Sequence, residues 1–447
     1  LLEERRFSNR GPLRESEALA PLRGDPRFGD LLRAGDGPVP SDRVAGWRHD
    51  LDVLLSEVRR LNATYHARPL PDSIRRAATR LRRDIPTLSD GEVWVRMQML
   101  LARLGQSHNS IWHFRGADRM DITMLPLSFY VFADGVHVVN AERSEWVGAE
   151  VLRVADTPAA EAMRQLERVV TSETPMKVDW LGPAYLRLPQ VLHALGVTDD
   201  AGPVPLTLRL RDGTTETVTL DPVPVERRQK LRPHGLSDAG PPLWLSRPDD
   251  GYWMQRLSGS GALYVQINQI INETAAPDFA DVGGPTVESF AAFTTRLRDT
   301  LRADRPEALV LDLRRNNGGN TFLYTDLLRR LVAYDAAPGT ALYVLVGRNT
   351  YSAALNLATD LDRLTDATFV GEPTGGKPNT HGNESAVELP YSGLTAGLSA
   401  VYWQHSVPQD ERLGVTPDLP ARLSSEAYLQ GRDPVLDATR RLLSTLP

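Results

Sequence analysis

The sequence predicts a multidomain protein of the α/β class. From about residue 250 onward, strand and helix patterns alternate, as they do in α/β folds. Within that part, Ala308–Leu313 and Ala341–Val346 are continuous apolar runs, which are typical of strands buried in a parallel sheet. Earlier in the chain, apolar residues between Trp47 and Leu61 recur at helical spacing, and residues 121–225 favour short strands.

These patterns divide the chain into four regions. The length of 447 residues favours about three domains at roughly 150 residues each. The helical region contains a capping box formed by Ser89 and Glu92, and the β-rich region contains the hairpin turn Asp212-Gly213. We predict a loosely packed arm, a helical domain, a β-rich domain with a partly helical insert near 171–200, and an α/β core, at 1–44, 45–120, 121–225 and 226–447.

Composition and charge exclude several classes of function. With 51 basic against 57 acidic residues and a net charge of −6, the chain lacks the basic excess of a nucleic-acid binder. There is no cysteine, so there is no disulfide framework, thiolate zinc site or cysteine nucleophile. No apolar run is long enough to span a membrane, and the first forty residues lack the pattern of a signal peptide. The nine histidines form no metal-binding pattern, so we expect neither a metal nor another cofactor.

A glycine pair, Gly318 and Gly319, follows the first buried apolar run of the core. Glycine at this point lets backbone N–H groups approach a ligand closely. The plain alternative is a turn that closes the loop and has no further role.

A serine, Ser352, lies in the first turn of a helix that follows the second buried run. This placement resembles a nucleophile elbow, in which the hydroxyl lies above the sheet and the next N–H points at the reacting carbonyl. The surrounding residues lack the G-x-S-x-G pattern, so an esterase fold is not implied. The alternative is that Thr350 or Ser352 caps the helix.

A lysine, Lys377, lies on a glycine-rich loop after a further short strand. It could be a desolvated general base, a phosphate-binding group or an ordinary solvated charge. The spacing is not that of a P-loop, since no Gly-Lys-Ser/Thr opens a helix here.

Together these segments resemble peptidase family S41, the tail-specific, C-terminal-processing and tricorn-type serine peptidases. Four motifs occur in family order: Leu311-Asp312-Leu313-Arg314-Arg315-Asn316-Asn317-Gly318-Gly319, Tyr351-Ser352-Ala353-Ala354, Gly371-Glu372-Pro373-Thr374-Gly375-Gly376-Lys377 and Leu413-Gly414-Val415-Thr416-Pro417-Asp418. The resemblance implies a ClpP/crotonase-like β/α catalytic core, with a PDZ-like module over the β-rich region and an N-terminal helical part.

The resemblance also implies roles for individual residues. Ser352 matches the nucleophile, and the amide of Ala353 with the Gly318/Gly319 loop would form the oxyanion hole. Two arrangements of the base occur in the family. Lys377 matches the lysine of a Ser–Lys dyad. Ser107 and His108, with Glu411 further along, match the tetrad of tricorn-type members.

We favour His108 as the base, because histidine titrates near neutral pH whereas a lysine must first lose the hydration of its ammonium. Glu411 and Ser107 would then orient the groups around the base. Lys377 has no apolar neighbours in its loop to desolvate it, but the sequence retains both sets of residues, so the dyad stays open. His381 is a further candidate for a base or a substrate contact.

The sequence therefore predicts a serine endopeptidase that acts on peptides or unfolded proteins. A PDZ-like module suggests capture of an extended peptide by strand addition. One alternative is a ligand- or peptide-binding protein on the same fold without catalysis. The other is a crotonase-type acyl-CoA enzyme, for which no basic CoA-binding cluster is evident. The family resemblance suggests export to the periplasm or outside the cell, and the oligomeric state is left open.

Overall fold

The computed structural model describes residues 17–25, 28, 39–112, 120, 122–224, 240–272 and 288–446. The predicted arm 1–44 lies mostly outside the described residues. Eleven α-helices are found in the described ranges: α1 Arg43–Leu61, α2 Asp72–Asp84, α3 Asp90–Ala102, α4 Ala159–Gln165, α5 Pro175–Tyr185, α6 Pro189–Leu195, α7 Phe290–Asp304, α8 Thr325–Asp335, α9 Ala353–Leu364, α10 Ser425–Leu429 and α11 Pro434–Leu443.

The strands of the described ranges form three main sheets and one short two-stranded pair. In chain order they are β1 Ser110–Trp112, β2 Thr123–Met124, β3 Leu127–Phe132, β4 Gly135–Ala141, β5 Glu150–Val154, β6 Thr157–Pro158, β7 Val204–Arg209, β8 Thr215–Leu220, β9 Val223–Pro224, β10 Tyr252–Arg256, β11 Leu263–Ile267, β12 Ala308–Asp312, β13 Ala341–Val346, β14 Thr368–Gly371, β15 Asn379–Glu388, β16 Thr395–Gln404 and β17 Leu419–Pro420.

The central sheet has the order β10-β11-β12-β13-β14-β17. Strands β11 to β14 and β17 are parallel, and β10 pairs antiparallel at one edge. All five residues of β12 are buried, and so are the last five of β13. Apolar side chains cover both faces of this sheet, with α7, α8 and α9 on one face and α11 on the other. The predicted buried parallel sheet is therefore confirmed.

A second apolar core connects the helical region with the β-rich region. It contains side chains of α1, α2 and α3 together with those of the antiparallel sheet β3-β4-β5-β7-β8. The predicted capping box is present at the start of α3, where Ser89 and Glu92 exchange hydrogen bonds with each other's backbone N–H. None of the described helices is long and apolar enough to cross a membrane.

A long hairpin, β15–β16, is the element that the sequence patterns do not predict. It pairs with β1 to form a third sheet, and its inner side chains, among them Val387 and Leu398, join the second core. The side chain of Asp50 on α1 accepts hydrogen bonds from the backbone N–H groups of Tyr391 and Ser392, each at 2.8 Å. The hairpin thus connects the α/β core to the helical region.

Candidate active site

Ser352 has an unusual backbone conformation at the start of α9, with φ +53° and ψ −124°. A residue with a side chain rarely adopts positive φ, and such strain is concentrated at functional sites. The side chain of Ser352 makes no capping bond to the helix. The hydroxyl of Thr350 does not cap it either, since it donates to Leu313 O at 2.9 Å and accepts from Gly347 N at 3.0 Å. Capping therefore does not explain the serine.

The glycine pair packs directly against this serine. A Cβ atom built on Gly318 would lie 2.6 Å from Ser352 Cβ and 3.1 Å from both Ser352 Oγ and the amide N of Ala353. A Cβ on Gly319 would lie 2.1 Å from the carbonyl O of Ile270. Both glycines have positive φ, of +121° and +131°. Only glycine lets the loop approach the serine this closely.

The backbone amides around Ser352 are not equivalent. The N–H of Gly318 donates to Asn316 Oδ1 at 2.9 Å, so it is already occupied. In the described part of the chain, the N–H groups of Gly319 and Ala353 have no hydrogen-bond acceptor. These two amides are therefore available to a negatively charged oxygen beside Ser352.

A buried arginine fixes the strand end from which the glycine loop leaves. The guanidinium of Arg314 lies between the carboxylates of Asp312, at 2.6 Å, and Asp433, at 2.8 Å. All three side chains are less than 10% exposed. Such a cluster holds the loop in one geometry, because a buried charge without its partner is costly.

His108 is buried and stacks on the ring of Tyr351, the residue immediately before Ser352. The two ring centroids are 4.4 Å apart and the planes differ by 17°. Nδ1 of His108 lies 2.6 Å from the carbonyl O of His381 and 2.6 Å from the hydroxyl of Tyr351. Because a carbonyl oxygen only accepts, Nδ1 carries the proton and Nε2 keeps its lone pair.

The surroundings of His108 keep its ring neutral. Burial and then the nearby ammonium of Lys177 lower the pKa of His108 to about 3, against a smaller opposing effect of the bond to His381 O. At neutral pH the imidazole is therefore unprotonated at Nε2 and can accept a proton.

Lys177, on α5, is a part of the site that the sequence patterns do not indicate. Its side chain is buried, and its ammonium donates to the carbonyl O of Ser107 at 2.5 Å and to the hydroxyl of Tyr351 at 2.7 Å. Burial lowers its pKa to about 7. The one available signal is its rarity, since the chain has only three lysines and this one lies between Met176 and Val178.

Ser107 and His381 lie beside His108 and have hydrogen-bond partners of their own. The hydroxyl of Ser107 accepts from the N–H of Glu173 at 3.1 Å. The ring of His381 is occupied at both nitrogens, by Glu173 Oε1 and by Thr64 Oγ1, each at 2.9 Å. It is the backbone carbonyl of His381 that contacts His108.

Lys377 and Glu411 are not joined to this network. Lys377 is half-buried, and Glu411 is exposed. Neither side chain makes a hydrogen bond or ion pair with the part of the chain that the structure describes. The loop of Lys377 does lie beside the site, since a Cβ on Gly376 would be 3.5 Å from the ring of Tyr351.

The site thus has two halves, which we name by the roles proposed for them below. The nucleophile half consists of Gly318, Gly319, Ser352 and Ala353. The base half consists of Ser107, His108, Lys177 and the carbonyl of His381. Among the described residues, no group of three or more acidic or histidine side chains is arranged to hold a metal ion.

Two solved structures, mature CPAF and mature CPAF complexed with lactacystin, have a similar fold. Each has a TM-score of 0.63 and 16% sequence identity, and the match covers 90% of this chain and 98% or 99% of the CPAF chain. A putative S41 protease from Bacteroides fragilis has a TM-score of 0.39 and 13% identity, over 88% of this chain and 97% of its own.

Comparison of sequences alone is uninformative. No protein-family model matches the sequence, and no curated protein matches it. At 16% identity the likeness to CPAF establishes the fold. The predicted resemblance is confirmed at that level: the chain has the fold of CPAF, a peptidase of family S41.

Proposed function

We propose that this chain is a serine endopeptidase that hydrolyses peptide bonds through an acyl-enzyme on Ser352. The observation that carries the proposal is the strained backbone of Ser352, whose hydroxyl serves no cap and faces the glycine loop. Backbone strain at a residue that has no structural use for its side chain is a mark of a functional group.

In the first step, Ser352 Oγ attacks the substrate carbonyl and His108 Nε2 takes the hydroxyl proton. A C–O bond forms, and the carbonyl π electrons move to the oxygen. The amides of Gly319 and Ala353 stabilise that oxyanion, and the missing side chain of Gly318 leaves room for it. The protonated His108 then gives its proton to the leaving amine as the C–N bond breaks.

In the second step, water hydrolyses the acyl-enzyme. His108 Nε2 takes a proton from the water as its oxygen attacks the ester carbonyl, and then returns the proton to Ser352 Oγ as the ester bond breaks. The carbonyl of His381 supports His108 in both steps, because its bond to Nδ1–H fixes the tautomer and ring orientation.

Lys377 and Glu411 remain alternative members of the catalytic group. A dyad would need Lys377 to be neutral and to reach Ser352, and a tetrad would need Glu411 to orient the base. His108 is favoured by its fixed tautomer and its stacking on Tyr351. Glu411 lacks such support, since it is exposed.

The capture of substrate is a separate proposal. Strand β8 lies at the edge of the antiparallel sheet, and alternate residues along it are exposed. An extended peptide can add to such an edge through backbone hydrogen bonds. We assign this PDZ-like role to the sheet, with peptides or unfolded proteins as substrates. Export from the cytoplasm is likewise proposed from the family resemblance.

Labelling with a fluorophosphonate probe tests the function. The intact protein should be labelled on the peptide that contains Ser352, and Ser352→Ala should abolish labelling. Ser289→Ala is the matched control, because Ser289 also begins a helix but caps α7 with its side chain. That variant should lose about 1 kcal/mol of stability and keep its labelling.

Two results would count against this proposal. An intact protein that folds but takes no label would indicate the non-catalytic binding protein. Labelling that persists in Ser352→Ala would place the nucleophile elsewhere. Since CPAF has been solved in complex with lactacystin, we also propose that lactacystin competes with the probe for Ser352.

A further inference from the structure

Lys177 is a buried amine with no described carboxylate at ion-pair distance. It is 4% exposed, and within the described residues no carboxylate oxygen lies within 4.0 Å of its ammonium. Its hydrogen-bond partners are a carbonyl and a phenol, and the ammonium also lies 3.9 Å from the centroid of the Tyr351 ring. A buried charge with only neutral partners lowers the stability of the fold. Stability therefore does not explain why a lysine occupies this position.

The two bonds of Lys177 connect the two halves of the site. One goes to the carbonyl of Ser107, the residue before His108. The other goes to the hydroxyl of Tyr351, the residue before Ser352. Tyr351 in turn contacts Nδ1 of His108. A single side chain from α5 therefore holds the residues that precede both the base and the nucleophile.

Other charged and titratable groups face Lys177 and His108 from the surrounding elements. Glu173 lies just before α5, and Glu384 lies on β15, and both favour the charged form of Lys177. Burial raises the pKa of the Glu384 carboxyl to about 7 against a smaller opposing effect of Lys177, and Glu173 is engaged by His381. His381 lowers the pKa of His108, as Lys177 does. Tyr351, between them, is neutral because burial raises its pKa.

We propose that Lys177 is a positioning residue that aligns His108 with Ser352 through its bonds to Ser107 and Tyr351. This inference rests on the proposed peptidase function. Lys177 is not itself the base in this scheme, because its ammonium is bonded to Ser107 O and Tyr351.

The test compares three variants by the pH dependence of fluorophosphonate labelling at Ser352. Lys177→Met removes the charge and both bonds while keeping the length of the side chain. We expect labelling at least tenfold slower, with its acid limb moved to higher pH, because the cation that disfavours imidazolium is gone. Tyr351→Phe should also be labelled more slowly, but the acid limb of its pH profile should stay near that of the unaltered protein, because Lys177 remains.

Val178→Ala is the matched control on the same helix. Val178 is buried in the second core and touches neither half of the site through a hydrogen bond. This variant should be less stable, but the acid limb of its labelling profile should be unchanged. Urea unfolding gives the complementary readout: Lys177→Met should be at least as stable as the unaltered protein, since an unpaired buried charge is replaced by an apolar side chain.

The outcomes separate this inference from the function on which it rests. Lack of labelling in the intact protein overturns the peptidase. Labelling of the intact protein together with an unchanged rate and acid limb in Lys177→Met overturns only the role of Lys177. Lys177→Met could instead be labelled more slowly, unfold at lower urea and keep its acid limb. That combination would make Lys177 a structural residue and likewise overturn the inference.

Discussion

The nucleophile half and the base half of the site are built in different ways. The nucleophile half comes from two neighbouring strands of one parallel sheet, since Gly318 follows β12 and Ser352 follows β13. The base half draws on the segment after α3, the helix α5 and the hairpin β15–β16. Loops at the carboxyl ends of adjacent parallel strands lie at the same edge of the sheet, so they are neighbours as soon as the strands pair. Three separate segments come together only when the whole chain has folded.

This difference affects how each half can be altered. The nucleophile half depends on backbone geometry, namely two positive-φ glycines and a strained serine. The base half depends on side-chain hydrogen bonds around a buried cation. We therefore expect substitutions in the first half to act through sterics and those in the second through protonation.

The largest expected effect is that of His108→Ala. Loss of the general base should lower kcat/KM on a generic peptide by about 10²–10⁴-fold. The kcat/KM of Lys377→Ala should be close to that of the unaltered protein. If Lys377→Ala lost peptidase activity while His108→Ala kept it, the assignment of the base would be reversed.

The pH profile of the unaltered protein adds a check on the same residue. His108 must be neutral to act, and its pKa is lowered to about 3 by burial and by Lys177. Activity should therefore persist as the pH falls through the ordinary histidine range near 6.5 and decline only in more acidic solution. An acid limb at 6.5 or above would show that His108 is not held in this environment.

Arg314→Met should have the next largest effect, on stability. It leaves the carboxylates of Asp312 and Asp433 buried without their cation, which typically costs about 3–5 kcal/mol. Urea unfolding measures the loss. Arg330→Met, which removes a helix-surface pair with the exposed Asp326, is the control and should change stability by about 0.3–0.5 kcal/mol. Similar losses in the two variants would mean that the cluster does not hold the glycine loop.

The same division explains what could be predicted from the sequence. The apolar runs at β12 and β13 are local, so the two strands follow from pattern, while the roles of Gly318, Gly319 and Ser352 are implied only by the family resemblance of the motifs behind them. The hairpin β15–β16 is not predicted because β15 begins with polar residues, Asn379-Thr380-His381, whose pairing is made by the backbone.

The supporting contacts of the base half could not be predicted for a related reason. Lys177 becomes a buried cation only because α5 packs onto the segment of Ser107, and hydrophobic periodicity records apolar side chains alone. The contact from His381 to His108 is made by a carbonyl, which every residue has. His381 could therefore be singled out by its imidazole, but not by the atom that contacts His108.

Gly318→Ala tests the steric character of the nucleophile half. A methyl group 2.6 Å from Ser352 Cβ, at a residue with φ of +121°, must displace the loop from the serine. We expect labelling to fall by about 10²–10³-fold, because moving the loop takes the free amide of Gly319 away from the oxyanion. Gly339→Ala is matched in backbone, with φ of +77°, but has open space around it. It should cost about 1–2 kcal/mol of stability and leave labelling intact, and equal labelling in both variants would contradict the steric role.

His381→Ala should have the smallest effect, although His381 contacts the base directly. The variant keeps the carbonyl that accepts from His108 Nδ1 and loses the ring bonds to Glu173 and Thr64. The two ring bonds contribute about 1 kcal/mol each to stability, and because neither involves His108 or Ser352, kcat/KM should fall by no more than about tenfold. Because the two histidines belong to one network, the ratio of their effects is informative. A loss in His381→Ala as large as in His108→Ala would show that the imidazole of His381, and not its backbone, takes part in proton transfer.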